Sequence, residues 1–249
     1  MATATERFSI SPNVYSTSDD DGSTILDIKH DKIYSLIGVG SIMWAKLVAA
    51  KEGLAPSDIV DDLSSKFTNV ARTQIESDVN RLLAGFQNKR LIQPITTTRL
   101  STLSKSSVGS IAQFIAHQSV DLLLRLHLTA IAAFFALGTT DILLKLVSFS
   151  ALYHTVKEWP VNSKKANAET VDRVRAAILT AMTWYPKQAM CLQRSAVTTC
   201  VLRSAGVQAE MIIGCQRLPF LAHAWVEVDG KVINDKPQVQ LTHTILDRC

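Results

Sequence analysis

The chain has 249 residues, 47% of them hydrophobic and 19% charged, which suits one or two folded domains and excludes a largely disordered protein. With 10 Gly and 7 Pro it is not a collagen-like or low-complexity chain, and its net charge of +4 is too small to indicate binding to nucleic acid or to a membrane surface. Residues 1–95 carry 10 basic and 12 acidic side chains, and residues 96–249 carry 16 and 10, so the net charge changes sign along the chain. This change favours two domains.

The four cysteines all lie in the last quarter of the chain, where no Cys-x-x-Cys motif occurs. A disulfide scaffold would have more cysteines in a shorter chain, so reduced thiols in a cytoplasmic protein are the expectation. The cysteines and histidines also lack the spacing of zinc ligands, and no metal or other cofactor is expected. The N-terminal residues contain no long apolar run, which argues against a secretory signal.

The first 95 residues predict strands followed by helices. Two β-rich runs come first, and His30–Asp31 between them is a candidate two-residue turn. Apolar residues at helical spacing then mark three helices, the second of which has Pro56 and Asp58 in its first turn. The predicted elements are strands at Thr24–Lys29 and Lys32–Leu36, helices at Gly38–Ala50, from Pro56 to Phe67 and from Val70 to Phe86, and a candidate further strand at Arg7–Ile10.

The segment from Ile25 to Ile92 resembles the pyrroloquinoline-quinone D-like family, also called the RiPP recognition element. It contains ILDIKHDKIYSLIGVGSIMWAKLVAA, PSDIVDDLSSKF and IESDVNRLLAGFQNKRLI, with the marks of the family at Leu26–Asp27, Tyr34–Leu36 and Trp44. The resemblance implies a small winged-helix domain of three strands and three helices at residues 1–95. In that family the leader of a precursor peptide adds as a strand beside the third strand and against the third helix.

Strand addition needs an edge strand whose backbone N–H and C=O groups are unpaired. The second β-rich run is the expected edge, so the candidate leader-binding residues are Lys32, Ile33, Tyr34, Ser35 and Leu36. Alternation puts the second and fourth of these on one face, and the sequence leaves open which face packs on the core. A winged helix that binds DNA is the alternative, but its recognition helix would be basic, whereas the third helix here mixes acidic and basic residues. Nucleic acid is therefore not an expected partner.

Residues 96–110 are rich in Ser and Thr, as linkers are, and helical patterns run from 111 to 156. Gly138–Thr140 is a candidate break between two of these helices. The apolar run Leu128–Leu137 has ten residues, against about 20 for a membrane span. A helix buried in protein is therefore predicted, and contact with a membrane or a partner is the alternative. Val171 to Met182 predict a further amphipathic helix.

The stretch from Cys191 to Asp235 combines residue types used in nucleophilic catalysis. Cys191 begins a predicted helix that ends at Gly206, and no Ser, Thr or Asp precedes it as a cap. Free N–H groups at a helix start stabilise a thiolate. His223 lies on a predicted strand, the turn Asp229–Gly230 follows, and Asp235 ends the returning strand. The hairpin can bring both side chains to one end of the sheet, where the imidazole takes the thiol proton and the carboxylate orients the imidazole.

The motifs CLQRS, VLRSAG and IIGCQRLPFLAHAWVEVDGKVIND resemble the transglutaminase-like superfamily of papain-like folds, and most of all the lasso-peptide B proteins. The resemblance implies a transglutaminase-like domain at 111–249 with a helical subdomain and a small antiparallel sheet, and hence an α+β protein. It makes Cys191 the nucleophile, His223 the base and Asp235 the orienting acid. Asn234 could orient the histidine instead, and Arg194 could contact substrate or solvent.

The implied activity is that of a cysteine endopeptidase that binds the leader of a lasso-peptide precursor and cleaves it off. An asparagine-synthetase-like partner would then close the freed core amine into a macrolactam. Two alternatives stay open. One is another acyl transfer on the same triad, such as transglutaminase-type crosslinking, and the other is a non-catalytic adaptor that holds leader and synthetase together.

Overall fold

The computed structural model of the chain describes residues 6–50, 52–95, 129–146, 148–161, 168–187, 189–216 and 221–249. The chain divides into two compact units, Met1–Thr102 and Leu103–Cys249. Each unit contains helices and antiparallel strands, which confirms the α+β fold class. The predicted linker 96–110 and the helices predicted before residue 129 lie outside the described residues.

The elements of the N-terminal unit are β1 (Phe8–Ile10), β2 (Val14–Asp19), β3 (Gly22–Asp27), β4 (Lys32–Leu36), α1 (Gly38–Ala49), α2 (Pro56–Lys66), α3 (Arg72–Asn88) and β5 (Ile92–Pro94). β2, β3 and β4 form an antiparallel sheet in that order, and β1 pairs with β5 in a separate antiparallel ribbon. Because β3 is the central strand, β4 lies at an edge of its sheet.

The core of this unit surrounds the fully buried Trp44 of α1. Tyr34 and Leu36 of β4 pack against the same core. This contact decides which face of β4 points inward, and by alternation Ile33 and Ser35 lie on its other face. Tyr34 and Leu36 therefore anchor β4, and among the described residues no strand pairs with its other edge.

The hairpin formed by β3 and β4 differs from the prediction. β3 ends at Asp27 rather than at Lys29, so the turn to β4 is longer than the two residues expected. The buried carboxylate of Asp27 accepts the backbone N–H of His30 at 3.2 Å and binds its Nδ1 at 2.6 Å, which closes the wider turn. β2 is absent from the sequence prediction because its sequence, VYSTSD, has few apolar residues. Its pairing with the buried β3 supplies the order that the local pattern lacks.

The described elements of the C-terminal unit are α4 (Thr129–Leu146), α5 (Phe149–Lys157), α6 (Ala168–Trp184), α7 (Cys191–Ser204), β6 (Ala209–Gln216), β7 (Leu221–Val228), β8 (Lys231–Val232), α8 (Val239–Thr242) and β9 (Thr244–Arg248). The strands form an antiparallel sheet of order β8-β7-β6-β9. α7 packs against β6 and β7 and also against α4, α5 and α6, so that every residue from Ser195 to Ser204 is buried. Because this helix is enclosed by other elements, it has no solvent-facing side and therefore no amphipathic pattern. Its small Ser, Ala and Thr side chains allow the neighbouring elements to pack closely around it.

α4 runs without a break through Gly138–Thr140, so the helix break predicted there is wrong. The hydroxyl of Thr139 donates to the carbonyl of Phe135, and that of Thr140 donates to the carbonyl of Leu137, each at 2.9 Å. Both hydroxyls thus find their hydrogen-bond acceptors in the preceding turn of the same helix. The two threonines therefore do not interrupt it.

The apolar run Leu128–Leu137 lies in α4 apart from its first residue, which is outside the described residues. Ala132, Ala133 and Leu137 are buried, whereas Phe135 is 62% exposed. The run is therefore a partly buried helix. Within the parts of the chain that the structure describes, no helix is long and apolar enough to cross a membrane.

Candidate active site

Cys191 is the first residue of α7, and its thiol is free and half-buried. In place of a Ser, Thr or Asp cap, the backbone N–H of Met190 donates to Oε1 of Gln193 at 3.0 Å, and Nε2 of Gln193 donates to Asp141 of α4 at 3.3 Å. The N–H of Arg194 donates to the carbonyl of Met190 and starts the helical ladder. The N–H of Cys191 precedes that ladder and can face a developing negative charge.

His223 of β7 and Asp235, which follows β8, meet at one end of the hairpin. Nε2 of His223 lies 2.7 Å from Oδ2 of Asp235, so Nε2–H donates to the carboxylate and Nδ1 is left to accept a proton. The other carboxylate oxygen accepts the backbone N–H of Lys236 at 2.8 Å. Among the described contacts, no hydrogen bond joins the thiol of Cys191 to this imidazole, and that contact stays a prediction.

Arg194 lies one helical turn after Cys191, and its Nη2 donates to Oδ2 of Asp235 at 2.9 Å. The sequence left the contact of this arginine open, and the structure gives it the carboxylate. Partial burial raises the pKa of Asp235, but the hydrogen bonds from His223 and the Lys236 N–H, with the positive charges of His223 and Arg194, outweigh burial and lower it below its ordinary value. The carboxylate is therefore ionised at neutral pH.

Asn234, the alternative third member, binds the helix rather than the imidazole. Its Oδ1 accepts the backbone N–H of Val226 at 2.8 Å, and its Nδ2 donates to Oγ of Ser195 at 2.9 Å. Oγ of Ser195 in turn donates to the carbonyl of Ala224 at 2.9 Å. These bonds tie the start of α7 to β7 and fix the strand of His223 relative to the helix of Cys191. Sequence reasoning missed Ser195, because a helical serine carries no signal of its tertiary partners.

Two further aromatic rings lie beside the imidazole of His223. The indole of Trp225 lies nearly parallel to it with 6.3 Å between centroids, and the ring of His243 lies 5.4 Å away. Gly214 of β6 pairs with His223, and a Cβ there would approach the Trp225 indole to 2.7 Å, so glycine makes room for the indole. Burial, and then the positive charge of His223, lower the pKa of His243, which favours a neutral ring beside the base. Neither Trp225 nor His243 was identified by sequence reasoning as part of the site.

Glu227 fixes the position of the Trp225 indole through a hydrogen bond. Its buried carboxylate accepts Nε1–H of Trp225 at 2.8 Å, Nε2–H of Gln240 at 2.8 Å and Nη1–H of Arg248 at 2.9 Å. Burial raises the pKa of Glu227, but these three hydrogen bonds and the charge of Arg248 lower it below its ordinary value. An ionised carboxylate thus links the indole that contacts His223 to α8 and β9.

The Asp235→Asn variant is expected to lower kcat/KM by about 100- to 10,000-fold without unfolding the protein. The NH2 group of the asparagine can donate a hydrogen bond to Nε2 of His223. The neutral imidazole would then carry its own proton on Nδ1, and Nδ1 could no longer accept the proton of the Cys191 thiol. Asp229→Asn is the matched control, because Asp229 lies in the hairpin turn at a φ of 49°, which asparagine also adopts. A kcat/KM near that of the wild type for Asp235→Asn would contradict the role given to this carboxylate.

The Glu227→Gln variant is expected to cost about 1–3 kcal/mol of unfolding free energy at pH 7. Since the pKa of Glu227 is lower in the folded chain than its ordinary value of 4.5, the ionised form stabilises the fold above that value, and this contribution is lost as pH falls through the folded pKa. The measurement is urea unfolding at pH 7 and at pH 4. The difference in unfolding free energy between wild type and variant should be smaller at pH 4 than at pH 7.

Glu210→Gln is the matched control, because Glu210 binds the same Arg248 at 3.2 Å but its side chain is 56% exposed. Its unfolding free energy should stay within about 0.5 kcal/mol of the wild type. Equal losses in the two variants would show that the buried network does not carry the effect.

The other cysteines lie in different surroundings from Cys191. Cys200 and Cys215 are buried, and burial raises the pKa of the Cys200 and Cys249 thiols to about 12. These two thiols are therefore protonated at neutral pH. In the part of the chain that the structure describes, no cluster of His, Cys, Asp and Glu side chains is arranged to hold a metal ion.

Two family descriptions match the chain, one in each unit. Residues 22–92 match Coenzyme PQQ synthesis protein D (PqqD), and residues 136–246 match the Transglutaminase-like superfamily. The first range contains the edge strand β4. The second contains Cys191, His223 and Asp235.

Two individual proteins are similar to parts of the chain. The Microcin J25-processing protein McjB of Escherichia coli is 42% identical over 50 residues, which are 20% of this chain and 24% of that protein, so the match spans about a quarter of that relative's length. The solved structure of TbiB1 in complex with the TbiA(beta) leader peptide matches over 35% of this chain and 98% of that chain, with 31% identity and a TM-score of 0.32.

Proposed function

Because the chain belongs to the lasso-peptide B proteins, in which a PqqD-like domain precedes a transglutaminase-like domain, we propose that it is a cysteine endopeptidase that binds the leader of a lasso-peptide precursor and cleaves it off. The observation that carries the proposal is the hydrogen bond between His223 and Asp235. Arg194, in the first turn of the helix that begins at Cys191, donates to the same carboxylate, which supports one common site.

In the proposed reaction the thiol proton of Cys191 passes to Nδ1 of His223, and the thiolate attacks the carbonyl carbon of the scissile peptide bond. Asp235 stabilises the imidazolium, and the N–H of Cys191 stabilises the oxyanion. As the C–N bond breaks, the Nδ1 proton passes to the leaving amine and the core is released. The leader stays on sulfur as a thioester until water attacks it, which releases a leader carboxylic acid and restores the thiol.

The proposed leader-binding surface is the free edge of β4, with backbone pairing for affinity and side-chain contacts for specificity. Nζ of Lys89, the residue that follows α3, lies 5.2 Å from the ring centroid of Tyr34, so the C-terminal end of α3 lies beside β4. This contact supports a cleft between them. The freed core amine would be the substrate of an asparagine-synthetase-like macrolactam synthetase in the cytoplasm, which is the partner we propose.

The proposal is tested by incubating the full chain with a precursor peptide and identifying the products by mass spectrometry. Two fragments are expected, a leader with a terminal carboxylate and a core with a free amine. The transglutaminase-like family keeps acyl transfer to an amine as a second candidate. An added alkylamine distinguishes the two, because a leader alkylamide as the main product would favour acyl transfer. A precursor that binds and stays intact would favour the adaptor.

A further inference from the structure

A pocket of about 300 Å³ lies beside the carboxylate of the candidate triad, between α6, α7 and the segment after β8. Asp235 forms part of its wall, and Oδ2 of Asp235 accepts hydrogen bonds both from His223 and from Arg194, which also lines the pocket. One hydrogen bond, from His223 to Asp235, thus links the wall of the pocket to the catalytic imidazole. An extended peptide advances about 3.4 Å per residue, so the pocket is within reach of side chains close to the scissile bond.

The charges that line this pocket do not balance. Arg175, Arg194 and Lys236 are cationic, and among the residues that the structure describes Asp235 is the only acidic one in the lining. Asp235 already accepts hydrogen bonds from three donors. Among the described residues, neither Arg175 nor the side chain of Lys236 has an ion-pair partner, and Nε of Arg194 is buried without a hydrogen-bond partner. The side chains of Arg175 and Lys236 are exposed, so both cations can meet a negatively charged group of a ligand.

The lining that α6 contributes is apolar apart from Arg175. Ile178, Leu179 and Met182 of α6 line the pocket, and Leu179 is 56% exposed although it is a large aliphatic residue. A ligand that fits both the apolar and the cationic part of this lining has a short aliphatic stem and a negatively charged end. The side chains of glutamate and aspartate have this form.

The geometry points to a substrate subsite: this pocket receives an acidic side chain of the peptide substrate, within a few residues of the scissile bond. The aliphatic stem lies against Leu179 and Met182, and the carboxylate lies among Arg175, Arg194 and Lys236. The inference rests on the proposed function, because it assigns specificity to the same site.

The test uses peptidyl epoxysuccinates, extended by two residues on each side of the electrophile, which label a reactive cysteine without needing the native precursor. Glu, Gln or Lys is placed at each position in turn, with amidated C-termini so that no terminal carboxylate competes. The rate of labelling of Cys191 in the full chain is followed by intact-mass and peptide mass spectrometry. At one position, Glu is expected to react about tenfold faster than Gln or Lys. This preference should weaken at 0.5 M salt, because exposed charges are screened.

The Arg175→Glu variant should reverse the preference at that position, so that Lys reacts faster than Glu, and Arg175→Lys should retain it. Arg173→Glu is the matched control, because Arg173 lies exposed on the same helix and does not line the pocket. Labelling of Cys191 with no preference for Glu, or with a preference that Arg175→Glu leaves unchanged, overturns the subsite and leaves the proposed function intact. No labelling of Cys191 by any probe overturns both.

Discussion

Replacing Cys191 by alanine is expected to abolish cleavage of a precursor peptide, with a loss of at least about 1,000-fold in rate. The sulfur is the atom that would form the thioester, and no neighbouring group of the described site can take its place. Leader affinity should stay within about twofold of the wild type, because the proposed leader-binding strand belongs to the other unit. Cleavage is measured by chromatography and mass spectrometry, and affinity by titration with a labelled leader peptide.

Cys200→Ala is the matched control for this variant, because it removes a thiol from the same helix at a buried position with a raised pKa. It should retain the cleavage rate, apart from any loss of folded protein. His223→Ala should behave like Cys191→Ala. A Cys191→Ala protein that still cuts the precursor would rule out the cysteine-peptidase mechanism.

The second large effect is expected in the N-terminal unit, where Ser35→Pro should weaken leader binding by about tenfold or more. Proline removes an N–H donor and cannot occupy a paired strand position without cost. Ser35 lies in the edge strand β4 and on the face away from the core residues Tyr34 and Leu36, so the substitution removes little core packing. Binding is measured by titration, and folding by circular dichroism of the same sample.

Thr17→Pro is the matched control, because Thr17, Thr24 and Ser35 lie in one row across the sheet, with Thr17 on the opposite edge strand β2. It places the same residue in the same sheet without touching β4. Leader binding should survive in this variant if it remains folded. Normal binding by a folded Ser35→Pro protein would place the leader elsewhere.

Local sequence signals were sufficient for several elements of the site. Cys191 begins α7, and Gly206 follows its end with a φ of 90°, which glycine adopts readily. Asp229 and Gly230 both have positive φ, as a tight hairpin turn requires, and this turn carries the chain back toward His223. The order of helix, hairpin and acid could therefore be predicted from the sequence.

Other features depend on contacts between distant segments, and local pattern carries no trace of them. The cap of α7 depends on Gln193, whose side chain also reaches Asp141 in α4. The contact of Arg194 with Asp235 joins residues 41 positions apart, and His243 reaches His223 from a segment between α8 and β9. Burial of α7 on all sides likewise removes the amphipathic pattern that marks surface helices.

The central claim is that Cys191 carries the leader as a covalent intermediate, and a quenched-reaction mass measurement tests it most directly. The full chain is mixed with precursor, the reaction is stopped with acid within its first turnover, and the protein is digested and analysed. We expect a thioester on the peptide that contains Cys191, with the added mass of the leader fragment less one water, and this adduct should disappear on treatment with hydroxylamine. Precursor cleavage with no adduct in any quenched sample, or with the adduct on another residue, would contradict the claim.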